Sequence, residues 1–181
     1  MSFIRILFFT GLFLASLLSG LSTAGAQDLA AQNKKVLRAM LFHCYPPIVN
    51  KTSVDDGLLR QKLRELTGDE AKAYAKDGGA RVYLLPPQIG EGVVISYTSP
   101  EPSCAIVLRR AHASTFWQAV ETVVKPPVYT EVEKTSLPEG GMRRVFTAKM
   151  QGTPIRLLLA MRNQQRPNGV QGMLQISRVE D

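Results

Sequence analysis

The chain has few of the residues that usually carry chemistry. Its 181 residues include two cysteines, two histidines and one tryptophan, and aromatic residues make up only 7% of the whole. His43 and His112 each lack a second histidine or a carboxylate at helix-ligand spacing, and no CxxC, HExxH or Ca²⁺-loop pattern occurs. No metal and no cofactor is therefore expected. There is no GxSxG elbow and no SxxK, so the familiar serine nucleophile motifs are absent. Gly78-Gly79 and Gly140-Gly141 belong to no GxGxxG or Walker loop and read as turn glycines. Acidic residues are scarce too: 15 Asp+Glu face 22 Lys+Arg, for a net charge of +7.

What the chain does have is an N-terminal address. Arg5 supplies a positive start, residues 6–21 form an apolar run, and Ala24-Gly25-Ala26 offers small residues before Gln27. This is the pattern of a secretory signal peptide, with cleavage expected after Ala26. The run is shorter than a comfortable bilayer span of ~20 residues, so no transmembrane span is expected after cleavage. The absence of a twin arginine favours the general secretory route, and the absence of a cysteine near the cleavage point disfavours a lipoprotein. The expected location is periplasmic or secreted.

Residues 27–181 then suit one exported domain with one core. A basic exported domain can meet an anionic envelope component or an acidic protein, whereas export removes it from most nucleic acid. Cys44 and Cys104 form an even pair, which in an oxidising compartment predicts a single disulfide. A nucleophilic Cys44 activated by His43 is the weaker reading, because neighbours on a helix point about 100° apart.

Helical spacing dominates the first third. Ala30, Leu37, Leu41 and Cys44 share one face, with Val36 and Met40 beside them, Asp28 as N-cap and Pro46-Pro47 as the stop. A second helix is predicted over 54–66, capped by Ser53 and ended by Gly68, followed by a short helix over 70–76. Alternation then predicts strands at 81–85, 93–98 and 104–109, the last so continuously apolar that it belongs at the sheet centre. A helix over 113–124 follows, with Thr115 and Gln118 as a capping box and Trp117 as a core plug. The C-terminal third reads as a meander: a weak edge strand at 128–132, strands at 142–150 and 155–162 around Gln151-Gly152, and a last strand at 172–179. The predicted class is α+β, an antiparallel sheet of about five to six strands with helices packed against it, in the order α-α-β-β-β-α-β-β-β.

The candidate sites are few. His112 and Ser114 sit two apart at a strand-to-helix junction and are weak catalytic candidates. Arg109 and Arg110, with the helix start near Thr115, are anion-binding candidates. Asp55-Asp56 is a possible carboxylate pair, although the helix dipole already explains acids in a first turn. Arg143 and Arg144 point to opposite faces of a strand and make no single patch. The leading expectation is a non-catalytic binding or accessory (inhibitor-like) protein of the cell envelope, its partner an unknown protein or anionic envelope component. The alternatives are a small envelope hydrolase using His112 and Ser114, and a basic protein that docks on an anionic surface.

Overall fold

A computed structural model describes residues 21–60, 62–75, 80–89, 91–97, 102–138, 140–164 and 170–179. The elements run α1 (Leu21–His43), α2 (Tyr45–Val49), α3 (Val54–Arg60), β1 (Glu65–Leu66), α4 (Gly68–Lys72), β2 (Ala80–Leu84), β3 (Gly92–Tyr97), β4 (Ser103–Leu108), α5 (Ala113–Val123), β5 (Thr130–Ser136), β6 (Met142–Met150), β7 (Thr153–Met161) and β8 (Gly172–Arg178). All eight strands belong to one antiparallel sheet in the order β1-β2-β3-β4-β8-β7-β6-β5. The chain builds the sheet from one edge inward through β4, crosses over with α5, and returns from the other edge until β8 closes against β4.

Every residue of β4 is buried, as its apolar run requires of a central strand. Its alternate side chains serve two cores. Cys104, Ile106 and Leu108 join the larger one, where Leu37 and Met40 of α1, Ile48 of α2, Leu58 of α3 and Phe116 of α5 pack on one face of the sheet. Val107 joins the smaller one on the reverse face, where Ala71 of α4 and the following Tyr74 and Ala75 lie against Leu66, Val82, Val93 and Ile95. Gly92 lets β3 approach β4 closely, since a Cβ there would lie 2.3 Å from the Val107 carbonyl oxygen. Between β6 and β7 the two-residue loop Gln151-Gly152 has positive φ at both positions (50° and 83°), the primed turn that matches strand twist.

Cys44 and Cys104 are joined in a disulfide with their Cα atoms 5.3 Å apart. The bond ties the end of α1 to the central strand across 60 residues of sequence. A loop of that length stabilises the fold by ~4 kcal/mol on the chain-entropy model.

The sheet is larger than the five to six strands expected, and its order gains β1 and a full β5. β1 escapes a pattern reading because it is two residues long with one buried side chain. The helix expected over 54–66 ends at Arg60: Lys62 turns left-handed (φ 59°) and the Leu63 N–H returns to the Leu58 carbonyl, which closes the helix and frees Glu65 to pair with Tyr83. Gly68 opens α4 and does not end the helix before it. Pro46 and Pro47 start α2, where a missing N–H costs nothing. Asp28 stands inside α1, which runs through Ala24–Ala26, so it is no N-cap. The edge strand β5 is shifted to Thr130–Ser136 with a register shift between Glu131 and Glu133, and its charges and bulge protect an exposed edge. The expected signal region up to residue 20, the Gly78-Gly79 stop and most of the Pro-rich turn before Ser103 lie outside the described residues.

Candidate functional site

The junction between β4 and α5 brings His112, Ser114 and Thr115 together. His112 is the N-cap residue of α5 in an extended conformation and gives no side-chain cap. Ser114 Oγ lies 3.0 Å from His112 Nδ1, and both residues are exposed. Thr115 does not cap the helix as its spacing to Gln118 predicts. Its hydroxyl donates to the His112 carbonyl (3.0 Å) and accepts from Asn33 Nδ2 (2.8 Å), so α1 is pinned to α5 through a polar contact spanning 82 residues. Asn33 is 2% exposed and also reaches the His112 carbonyl at 3.3 Å. Its position, three and four residues before Val36 and Leu37, places it on the buried stripe of α1, while the predicted stripe member Leu41 is only half-buried.

This arrangement has a nucleophile and a base in hydrogen-bond reach, but no carboxylate contacts the His112 ring among the described residues. The anion-binding candidates are spoken for differently. Arg109 and Arg110 are exposed beyond the end of β4, where the Arg110 guanidinium leans on Glu91 at 3.7 Å. With the Thr115 hydroxyl already bonded twice, the junction presents an acid-paired arginine beside a satisfied threonine. His43 is buried at the end of α1, stacked edge-on against Phe42, while Cys44 is held in the disulfide.

The Asp55-Asp56 pair divides. Asp56 is exposed and its backbone N–H donates to Ser53 Oγ (3.3 Å), while Asp55 is 8% exposed and accepts a 2.9 Å hydrogen bond from the Tyr83 hydroxyl. Arg81 lies 3.8 Å from Asp55, donates to Glu65 through Nε at 2.8 Å and through Nη2, and sits over the Tyr83 ring. Burial pushes the Tyr83 phenol well above its ordinary range, and the bond to Asp55 adds to the effect. The hydrogen bonds from Arg81 hold Glu65 below the usual carboxylate range, against a smaller opposing effect of burial. This network joins α3 to the β1–β2 edge. Its phenol is fully buried and its acids face a single arginine, which is the arrangement of a structural pin.

Arg143 and Arg144 do point to opposite faces. Arg144 lies on the helix face between Glu121 of α5 and Glu131 of β5, with its guanidinium over the rings of Trp117 and Phe146. Trp117 is half-buried beside Phe116, so it lids the core more than it plugs it. Arg143 pairs with Glu133 on the reverse face at 3.2 Å.

That reverse face changes character along its length. One row of register partners crosses all eight strands: Leu66, Val82, Ile95 and Ala105 continue as Gln175, Leu158, Val145 and Glu133. The first four are buried, Leu66, Val82 and Ile95 of them against α4 and Tyr74. Of the last four only Val145 is buried, and no described helix lies over them. The next row carries Thr147, Arg156 and Ser177 side by side, with Arg156 exposed. Sequence alternation places these residues on one face, but only the topology shows that α4 stops short of them.

Among the described residues no three His, Cys, Asp or Glu side chains converge as metal ligands, and no helix is long and apolar enough to cross a membrane. No protein-family model, no curated protein and no solved structure matches this chain.

Proposed function

We propose that this chain is an exported binding or accessory domain of the cell envelope, inhibitor-like in acting by occupancy, and that it meets its partner through the reverse face of β5–β8. One observation carries the reading. The same sheet face that α4 covers along β1–β4, in a cluster that reaches Met173 of β8, has no described helix over it along β5–β8, where Leu158 and Ala160 are only partly buried beside exposed Arg156. Aliphatic side chains bordered by charge on a rigid sheet fit a docking surface. The disulfide and the lack of a membrane-crossing helix among the described residues are compatible with export. Photo-crosslinking in the exporting cell tests the proposal: a photoreactive residue at Leu158 should trap a discrete adduct, while one at Leu84, exposed on the covered half, should not. Equal trapping at both positions, or none at Leu158, contradicts it.

A second reading, a small hydrolase, is favoured by the 3.0 Å contact between Ser114 Oγ and His112 Nδ1. An ester-hydrolysing activity that disappears in His112→Ala with unchanged circular dichroism would establish it.

A further inference from the structure

Charge on the C-terminal half of the sheet is unevenly spent. Glu133 is held by Arg143, and Glu121 and Glu131 are held by Arg144. Arg156 and Lys149 are exposed on the reverse face and have no ion pair among the described residues. Arg156 stands in register between Thr147 and Ser177, so a hydroxyl-bearing residue occupies the neighbouring position on each adjacent strand. Lys149 lies opposite Pro154, one same-face position beyond Arg156 along β7. In the other direction Leu158 and Ala160 follow Arg156 on the same strand and face, at intervals of ~7 Å set by the strand rise.

We infer that this face docks an acidic protein segment, its carboxylates meeting Arg156 and Lys149 and its aliphatic side chains lying on Leu158 and Ala160. The inference rests on the binding reading above and names the partner's chemistry. A guanidinium donates two parallel N–H bonds to a carboxylate, and the hydroxyls on the neighbouring strands are further donors. The adjoining aliphatic strip distinguishes a protein from a bare anionic surface: carboxylates alone satisfy the two cations, but only an apolar group covers the part of Leu158 that is still exposed. The described acids of β5 being already paired with Arg143 and Arg144, the carboxylates come from a partner.

The test uses the full chain purified from exporting cells, isotopically labelled, and titrated with a soluble synthetic peptide of alternating glutamate and leucine. A lysine–leucine peptide and phosphatidylglycerol vesicles are the comparison probes. The glutamate peptide should bind, with NMR shifts confined to Arg156, Leu158, Ala160 and their register partners, and binding should weaken as salt rises. The double variant Lys149→Glu with Arg156→Glu should lose about tenfold or more in affinity, and Arg156→Gln alone should lose less. Both keep the spectrum of the folded protein, because the positions are exposed. Equal binding of the lysine peptide, unchanged affinity in the double variant, or shifts on the α5 face would overturn the inference. So would vesicles that move these signals when the peptide does not. If the peptide fails while Leu158 still cross-links in the cell, the acidic partner falls and the binding reading stands.

Discussion

The two halves of the sheet obey the same ladder and differ in what lies over them. β1–β4 is covered on one face by α1, α2 and α3 with α5, and on the other by α4 with Tyr74, so its strands read as continuous apolar runs such as Val93, Val94 and Ile95. β5–β8 shares the helix face but has no described helix behind it, and β7 accordingly alternates buried Ile155, Leu157 and Leu159 with exposed Arg156 and partly buried Leu158 and Ala160. The periodicity of a strand thus reports how many of its faces are covered. An outward leucine within a polar alternation marks where the cover is missing.

The comparison breaks most visibly by core truncation. Ile106→Ala on β4, at a fully buried site, should cost ~2–5 kcal/mol in denaturant unfolding, whereas Leu158→Ala on the open face should cost about 1 kcal/mol or less. A large cost at Leu158 would mean that something covers it in the free protein.

The next effect belongs to the edge of the covered half. Tyr83→Phe strands the Asp55 carboxylate and should cost ~1–3 kcal/mol at neutral pH. The phenol's raised value in the folded chain also fixes a sign. The unfolded chain loses this proton near pH ~10 while the folded chain keeps it, so stability is complete below that pH and falls as pH rises beyond it. Tyr83→Phe should therefore flatten the alkaline end of the stability profile, measured by thermal unfolding across pH.

The smallest effect sharpens the account of the covered half. Ser96, the register partner of Cys104, is fully buried, and its hydroxyl oxygen has no hydrogen-bond partner among the described residues. Ser96→Ala should leave stability unchanged or raise it by up to ~1 kcal/mol, since it removes an uncompensated polar group. A loss would show that the hydroxyl is satisfied.

Where local pattern decides, the fold was legible. The apolar run of β4, the alternation of β7 and the Gln151-Gly152 turn each hold their meaning within a few residues. The Cys44–Cys104 bridge was legible for a different reason: two cysteines allow a single intramolecular pairing. The candidate site was legible less well, because its contacts are long-range. Asn33 meets Thr115 from another helix, Tyr83 meets Asp55 across 28 positions, and neither pair leaves a periodic trace. Thr115 shows the hazard directly: a good capping residue by spacing, it lies inside the first turn of a helix that starts at Ala113, and its hydroxyl meets Asn33 of another helix. The open face could be read only in part, since alternation gives the face of Leu158 but not the reach of α4.

The central claim is that one sheet face has a helix over it along β1–β4 and, among the described residues, none along β5–β8. Methyl NMR of the free full chain with a soluble paramagnetic relaxation agent tests it most directly. Leu158 and Ala160 should relax strongly while Val82, Ile95 and Val107 on the same face should not. Equal protection of Leu158 and Ile95 would contradict the account and place a cover over the proposed docking surface.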